Sequence, residues 1–210
     1  MPVEAATLAA FIAASLAIVL SPGPDTMLIL RYTMTSGQRT GLATVTGVQL
    51  GLIVHTVAAA VGLSLIIASS DLLFRAIATA GAAYLGWLGL QGFRAGLLNV
   101  ATMTAGAHVS AAKGLRDAML TNILNPKVIL LFLALMPNFV IAGRGQVPLQ
   151  LAVFGVALIA VNTVWQVALA LGAERARRWL GRPAVQRAVS RGTGLVLLGF
   201  AAILLVEHVF

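Results

Sequence analysis

The chain contains no cysteine. That rules out a disulfide framework and any thiolate metal site, and it leaves the redox compartment unspecified. Charge is scarce as well: Asp, Glu, Lys and Arg make up 10% of the 210 residues, where a soluble domain carries about a quarter. Acids are rarer still, 6 against 14 Lys and Arg, for a formal charge of +8. Three His and six Met offer few imidazole or soft ligands, so no metal site is expected. The patterns H-E-x-x-H, G-x-S-x-G and G-x-x-x-x-G-K-[ST] are missing. The chain therefore reads as a non-enzyme without cofactor or ATP site. No Lys or Arg precedes Arg31, so the N-terminus lacks the basic region of a signal peptide and reads as a retained transmembrane segment.

What the chain has is apolar length. Hydrophobic residues make up 60% of it, in blocks that each approach the ~20 residues needed to cross a bilayer core. Six spans are marked, at 5–30, 41–67, 72–92, 117–142, 147–172 and 190–208, within a single transmembrane domain covering 1–210. The connections after spans one, three and five carry Arg31, Arg39, Arg94, Lys113, Arg116, Arg175, Arg177, Arg178, Arg182, Arg187 and Arg191. The opposite side carries Arg75 and Arg144. Positive loops mark the cytoplasmic face, which places both termini outside the cytoplasm. The charge is thus an orientation signal, and nucleic acid is not an expected partner. The stretch "ERARRWLGRPAVQRAVSR" (174–191) mixes basic and apolar residues, a composition suited to the anionic inner leaflet.

Six spans divide naturally into two three-span units, and an odd number of spans inverts the second unit relative to the first. The expected fold is therefore all-α, with two inverted three-helix repeats: repeat one 1–96, loop 97–114 and repeat two 115–210. In secondary transporters, broken helices at matching positions of such halves mark the binding site. Here "GPDTMLIL" in span one aligns with "NPKVILLF" in span four, setting Pro24 on Pro126 and Asp25 on Lys127. Glycines in span two (Gly41, Gly47, Gly51) and in span three and its exit (Gly81, Gly86, Gly89, Gly92, Gly96) read as packing positions. Such faces also permit a homodimer.

Proline has no amide hydrogen and clashes with the carbonyl four residues earlier. Pro22 and Pro24 therefore release the carbonyls of Ile18 and Leu20, and Pro126 releases that of Asn122. Within hydrocarbon such groups need protein or a wet cavity around them. Each break also starts a new helix whose amides attract anions, while the freed carbonyls attract cations. Two facing breaks suit a zwitterion. Asp25 lies about six residues, roughly 9 Å of helix, from Arg31, and Lys127 lies about ten residues into span four. Intramembrane charges cost about 2.5–3.5 kcal/mol each on insertion scales and by default mark function. On the functional reading the substrate site is Pro22, Gly23, Pro24, Asp25, Asn122, Asn125, Pro126 and Lys127, with Asp25 and Lys127 pairing when it is empty. On the plainer reading Asp25 only caps the restarted helix and Lys127 is its fixed counter-ion. Gln49 and His55 in span two, and Asn162 and Gln166 in span five, are candidates for polar lining or proton handling. Their alternative is an ordinary interhelical hydrogen bond.

At these residues the chain resembles the LysE/RhtB family of amino-acid exporters, in its homoserine/threonine-type branch. The matching segments are "SPGPDTMLIL", "SGQRTGLATVTGVQLGLIVH", "AGAAYLGWLGLQGFRAG" and "LTNILNPKVILLFLALMPNFV", spread through residues 21–140. The resemblance implies a bacterial inner-membrane secondary transporter that exports amino acids or their derivatives, with protons as the exchanged ion. Many members carry Asn after the P-G-P where this chain has Asp25, which implies that a charge there is not essential to a shared mechanism. Two other functions remain open: export of a metal or other cation, as in relatives of the same superfamily, and a membrane scaffold or regulatory subunit without transport. The partners expected are a small amino-acid substrate and membrane lipid.

Overall fold

The computed structural model describes residues 2–65, 71–94 and 107–209, and every regular element among them is helical. Helix α1 spans Ala5–Leu20 and α2 spans Pro24–Ser36; α3 spans Gln38–Ala58 and continues through a π-turn at Ala59–Leu63. Helix α4 covers Asp71–Arg94, α5 Ala111–Ile123 and α6 Pro126–Ala134, followed by 3-10 turns at Met136–Phe139 and Ala142–Arg144. Three more helices complete the order: α7 Val147–Leu171, α8 Ala173–Leu180 and α9 Pro183–Val209. Gly96 and most of the expected 97–114 loop lie outside the described residues.

Among the described residues, Gln38–Leu63 and Val147–Leu171 are each long and apolar enough to cross a membrane. Two bent pairs qualify if each is one span: α1 with α2, and α5 with its continuation Lys127–Phe139. Both bends measure 56°. Both fall where sequence places the proline breaks, and in each the second helix opens on a proline at its first positions, where a missing amide costs nothing.

Two helix ends lie outside the marked spans. The helix of the first span does not stop near residue 30; α2 runs on to Ser36, leaving Gly37 alone between it and α3. That corner needs φ of +86°, a value that glycine adopts without a Cβ penalty. The last helix starts at Pro183 rather than near 190, so Arg187 and Arg191 ride on its opening turns. The basic stretch 174–191 is thus split. Its first part, α8, does not lie on lipid alone: Ala173 and Leu180 are buried with Leu30 and Leu169, and Met27, Met34 and Trp165 pack against them. An amphipathic helix buries its apolar face wherever apolar surface is nearest, and here α2 and α7 supply it.

Close helix contacts hold the breaks in place. A Cβ on Gly47 would strike the Leu115 backbone carbonyl, and one on Gly51 would strike the Asn122 side chain. So α3 lies against α5 at backbone distance. On the other flank, Cβ atoms on Gly89 or Gly194 would each meet the other's carbonyl oxygen, which brings α4 and α9 together in the same way. These glycines are packing positions, as their spacing suggests. The largest cluster of buried apolar side chains includes Phe11, Phe139 and Phe154, with ring centroids 4.7–6.1 Å apart.

The two ends of the bundle are tied differently. At one end the Val109 amide donates to Ser36 Oγ at 2.9 Å, and Tyr32 Oη donates to Asp117 at 2.8 Å. The α2–α3 corner therefore sits beside the start of α5. At the other end Glu4 and Arg144 form an exposed ion pair. There the buried Gln150 clamps the loop before α7. Its amide nitrogen donates to the carbonyls of Ile141 (3.0 Å) and Gly145 (2.8 Å), and its oxygen accepts from the Ile141 amide at 3.0 Å. Removing such a clamp strands several backbone groups, at about 1–3 kcal/mol for each buried one. Gln150→Leu is expected to lower the thermal midpoint of the detergent-solubilised protein by several degrees, measured by circular dichroism, with Gln150→Glu intermediate. An unchanged midpoint would show that the loop holds without it.

Candidate functional site

Both helix breaks meet at one place, and each satisfies the other. Lys127, on the first turn of α6, extends its ammonium across to α1, where Nζ donates to the carbonyls of Ile18 (3.2 Å) and Ser21 (3.0 Å). The Ile18 carbonyl is one of those that the prolines release. In return Asn122, the last full turn of α5, donates from Nδ2 to Asp25 Oδ2 at 2.8 Å. The carbonyl of Asn122, released by Pro126, lies 3.3 Å from His55 Nε2. A carbonyl only accepts, so that ring nitrogen carries the hydrogen. The His55 ring also lies against Phe132, with centroids 5.3 Å apart.

Several expectations change here. Asp25 and Lys127 make no direct ion pair among the described residues; Asn122 takes the acid and the backbone of α1 takes the cation. The break explains this: free carbonyls at the end of α1 are nearer acceptors for an ammonium, and they need a donor themselves. Nor does Asp25 cap α2, whose start has no side-chain cap. Capping falls to Asn125 on α6, whose Oδ1 accepts the Lys127 amide at 3.0 Å. Asp25 Oδ1 and Asn122 Oδ1 are buried with no hydrogen-bond partner among the described residues. Asn122 Oδ1 packs toward Gly51 of α3, so the acceptor left for a ligand donor is the Asp25 oxygen, on a residue that lines the cavity described next.

A cavity of about 60 Å³ opens beside these groups, room for a few waters at the ~10–15 Å³ that one requires. Its lining includes Gly23, Asp25, Asn122, Asn125 and Lys127, with Asn162 and Gln166 from α7. Apolar walls come from Leu52, Val128, Leu131 and Leu158. Gln49 and His55 do not line it directly, but each bonds to a residue that does. Gln49 donates to Gln166 at 2.9 Å and accepts from Asn162 at 3.4 Å. Pro22 and Pro24 line a second cavity on the far side of the break. Pro126 forms the start of α6.

The site also uses groups that the sequence reading missed. The carbonyls of Ile18 and Ser21 carry the Lys127 ammonium, and Thr26 is buried in the lining. Backbone acceptors leave no residue-type signature; only the prolines hint that some are free. Gly51 is a further positioning element, because any side chain there would displace Asn122.

Residues 16–208 match the LysE type translocator family, and the chain belongs to it. It is 33% identical to the uncharacterised membrane protein YrhP of Bacillus subtilis (strain 168), over 92% of this chain and 96% of that protein. The homoserine/homoserine lactone efflux protein of Salmonella typhimurium (strain LT2) is 32% identical over 93% of this chain and 94% of its own length. The threonine efflux protein of Escherichia coli (strain K12) is 32% identical over 58% and 61%. No solved structure matches the chain.

Losing the α6 cap isolates the structural part of this arrangement. Asn125→Ala is expected to cost about 1 kcal/mol of stability and Asn125→Ser to recover most of it, read from thermal unfolding in detergent. If Asn125→Ala unfolds like the native chain, the cap is not holding the break.

Proposed function

We propose that the protein exports neutral amino acids of the homoserine/threonine type, or their derivatives, across the bacterial inner membrane. The observation that carries the proposal is the cavity itself. It sets a carboxylate with an unpartnered oxygen and an ammonium held only by carbonyls around one small space, between two broken helices. A zwitterion matches both. Its ammonium takes the free oxygen of Asp25, and its carboxylate takes the charge of Lys127 in place of weaker neutral acceptors. Relatives named for efflux of homoserine, homoserine lactone and threonine support the same reading.

The architecture we propose is six spans in two inverted three-helix repeats. The equal 56° bends support it, as do the same-side ties. Ser36 with Val109 joins the connections after spans one and three, and Glu4 with Arg144 joins the N-terminus to the connection after span four. Both termini then face outward. Transport proceeds by rocking one repeat against the other around the site, as inverted-repeat carriers do. Proton exchange drives it, with Asp25 or His55 as the proton handler.

Two alternatives fit less well. A cation cargo would enter a cavity already lined by the Lys127 ammonium, whose repulsion opposes it. A scaffold has no use for a cavity reaching Asp25.

Efflux from preloaded cells and proteoliposomes, run over a panel of amino acids, tests the proposal. Asp25→Ala and Lys127→Ala are each expected to slow efflux at least tenfold, about 1.4 kcal/mol, while leaving the protein in the membrane. Asp25→Asn keeps an acceptor for Asn122 and is expected to retain more activity than Asp25→Ala. Native rates in both alanine variants would remove the site assignment. Collapsing the pH gradient should abolish net uphill export if protons are the exchanged ion.

A further inference from the structure

The cavity on the far side of the break is larger than the inner one, at about 280 Å³. Its floor is the broken segment of α1 and α2, and its walls come from α4 and α9. Gln91, Gln186, Ser190 and Thr193 are polar points on walls that are otherwise mostly apolar. Gln186 and Thr193 are already engaged, donating to the carbonyls of Leu180 and Ala17. Gln91 lies one turn before Arg94, and Ser190 beside Arg191. This larger cavity, called the outer one because it lies nearer the end of the bundle, is toward the basic end, which the proposed orientation makes cytoplasmic.

Four residues, Ile18, Ser21, Gly23 and Lys127, line both cavities. The partition between them is thus the Lys127 side chain and the two carbonyls that hold it. Gly23 lies beside it: a Cβ built there would be in van der Waals contact with Nζ, at 3.8 Å. An ammonium has three donors, and two are taken by Ile18 and Ser21. The third is available to a ligand in either cavity. Both acceptors are neutral, so an arriving carboxylate binds Lys127 more strongly than they do.

We propose that the outer cavity is a loading site for the carboxylate of an α-amino acid, and that Lys127 is the latch between it and the inner cavity. The idea rests on the export reading and deepens it. Substrate docks first beside Ser190 and Gln91 with its carboxylate on Lys127. The side chain then leaves the Ile18 and Ser21 carbonyls, the partition opens, and the amino group reaches Asp25. One residue thereby serves both chambers in turn.

The absence of native cysteine makes a thiol-labelling test clean. Ser190→Cys places a single thiol in the outer cavity, and Gln38→Cys, exposed at the start of α3, serves as control. Labelling uses a bulky methanethiosulfonate on the purified full chain in detergent, with threonine or threoninol, its carboxylate-free analogue, as the probe. Threonine is expected to slow labelling of Ser190→Cys about tenfold or more, a 1.4 kcal/mol effect, and threoninol to leave it unchanged. Protection should vanish with Lys127→Gln and leave the Gln38→Cys rate untouched. In proteoliposomes, labelled Ser190→Cys should export far more slowly than the same variant unlabelled, while labelled Gln38→Cys matches its own unlabelled rate. The loading site is overturned if Ser190→Cys resists labelling, if threoninol protects as well as threonine, if protection survives Lys127→Gln, or if the label leaves efflux intact. An unmodified chain that exports no amino acid overturns the export reading instead, and detergent protection distinguishes the two failures.

Discussion

The structure depends on an exchange of hydrogen bonds between two broken helices. A proline inside a membrane helix strands carbonyls that hydrocarbon cannot solvate. Here the second break mends part of itself, through the Asn125 cap and the Asn125 amide that donates to the Asn122 carbonyl, and the other remedies come from across the site. Lys127 of the second break covers Ile18 and Ser21 of the first, Asn122 covers Asp25, and His55 covers the carbonyl of Asn122. The first break draws the donor for its carbonyls from the second, so the two must meet for the end of α1 to be satisfied. Displacing one side leaves buried polar groups on the other, each worth about 1–3 kcal/mol.

Such an exchange works only if the helices come close enough, and glycine makes that possible. Gly51 leaves the space that the Asn122 side chain occupies, and Gly47 admits the backbone of α5. In lipid, where apolar side chains gain little by leaving their surroundings, close packing and polar contacts of this kind carry most of the helix association. The small residues and the polar site are therefore one system: enlarging a glycine here moves a charge or an amide, not only a helix.

Much of this was legible in the residues and some was not. Both breaks, and their correspondence across a hundred residues, followed from Pro22, Pro24 and Pro126, because proline's constraint is local and absolute. That Asp25, Asn122, Asn125 and Lys127 gather at one cavity was the expectation from aligning the two proline segments. Their partners did not follow. Opposite charges at aligned positions suggested an ion pair, yet the ammonium found unpaired carbonyls first, and a carbonyl has no letter in the sequence. The α2–α3 corner lies past the marked span because apolarity fades near residue 30 while helical geometry persists to Ser36. Hydropathy reports where lipid is, not where a helix ends.

The partner exchange also bears on why the site holds one acid and one base rather than two neutral caps. Asn125 shows that a neutral cap is enough to start α6, so Lys127 is not needed for that. Its charge serves the opposite helix, where two carbonyls accept it without neutralising it. Asp25 is likewise held by an amide that leaves one of its oxygens free. Both charges are thus solvated by dipoles and not spent on each other, an arrangement costlier than a direct pair in a low-dielectric setting. A fold that only needed to mend two prolines would have little reason to carry that cost. The proposed zwitterionic cargo supplies one, because a preformed ion pair would have to be broken before such a ligand could bind, whereas dipole-held charges exchange neutral partners for charged ones at each end.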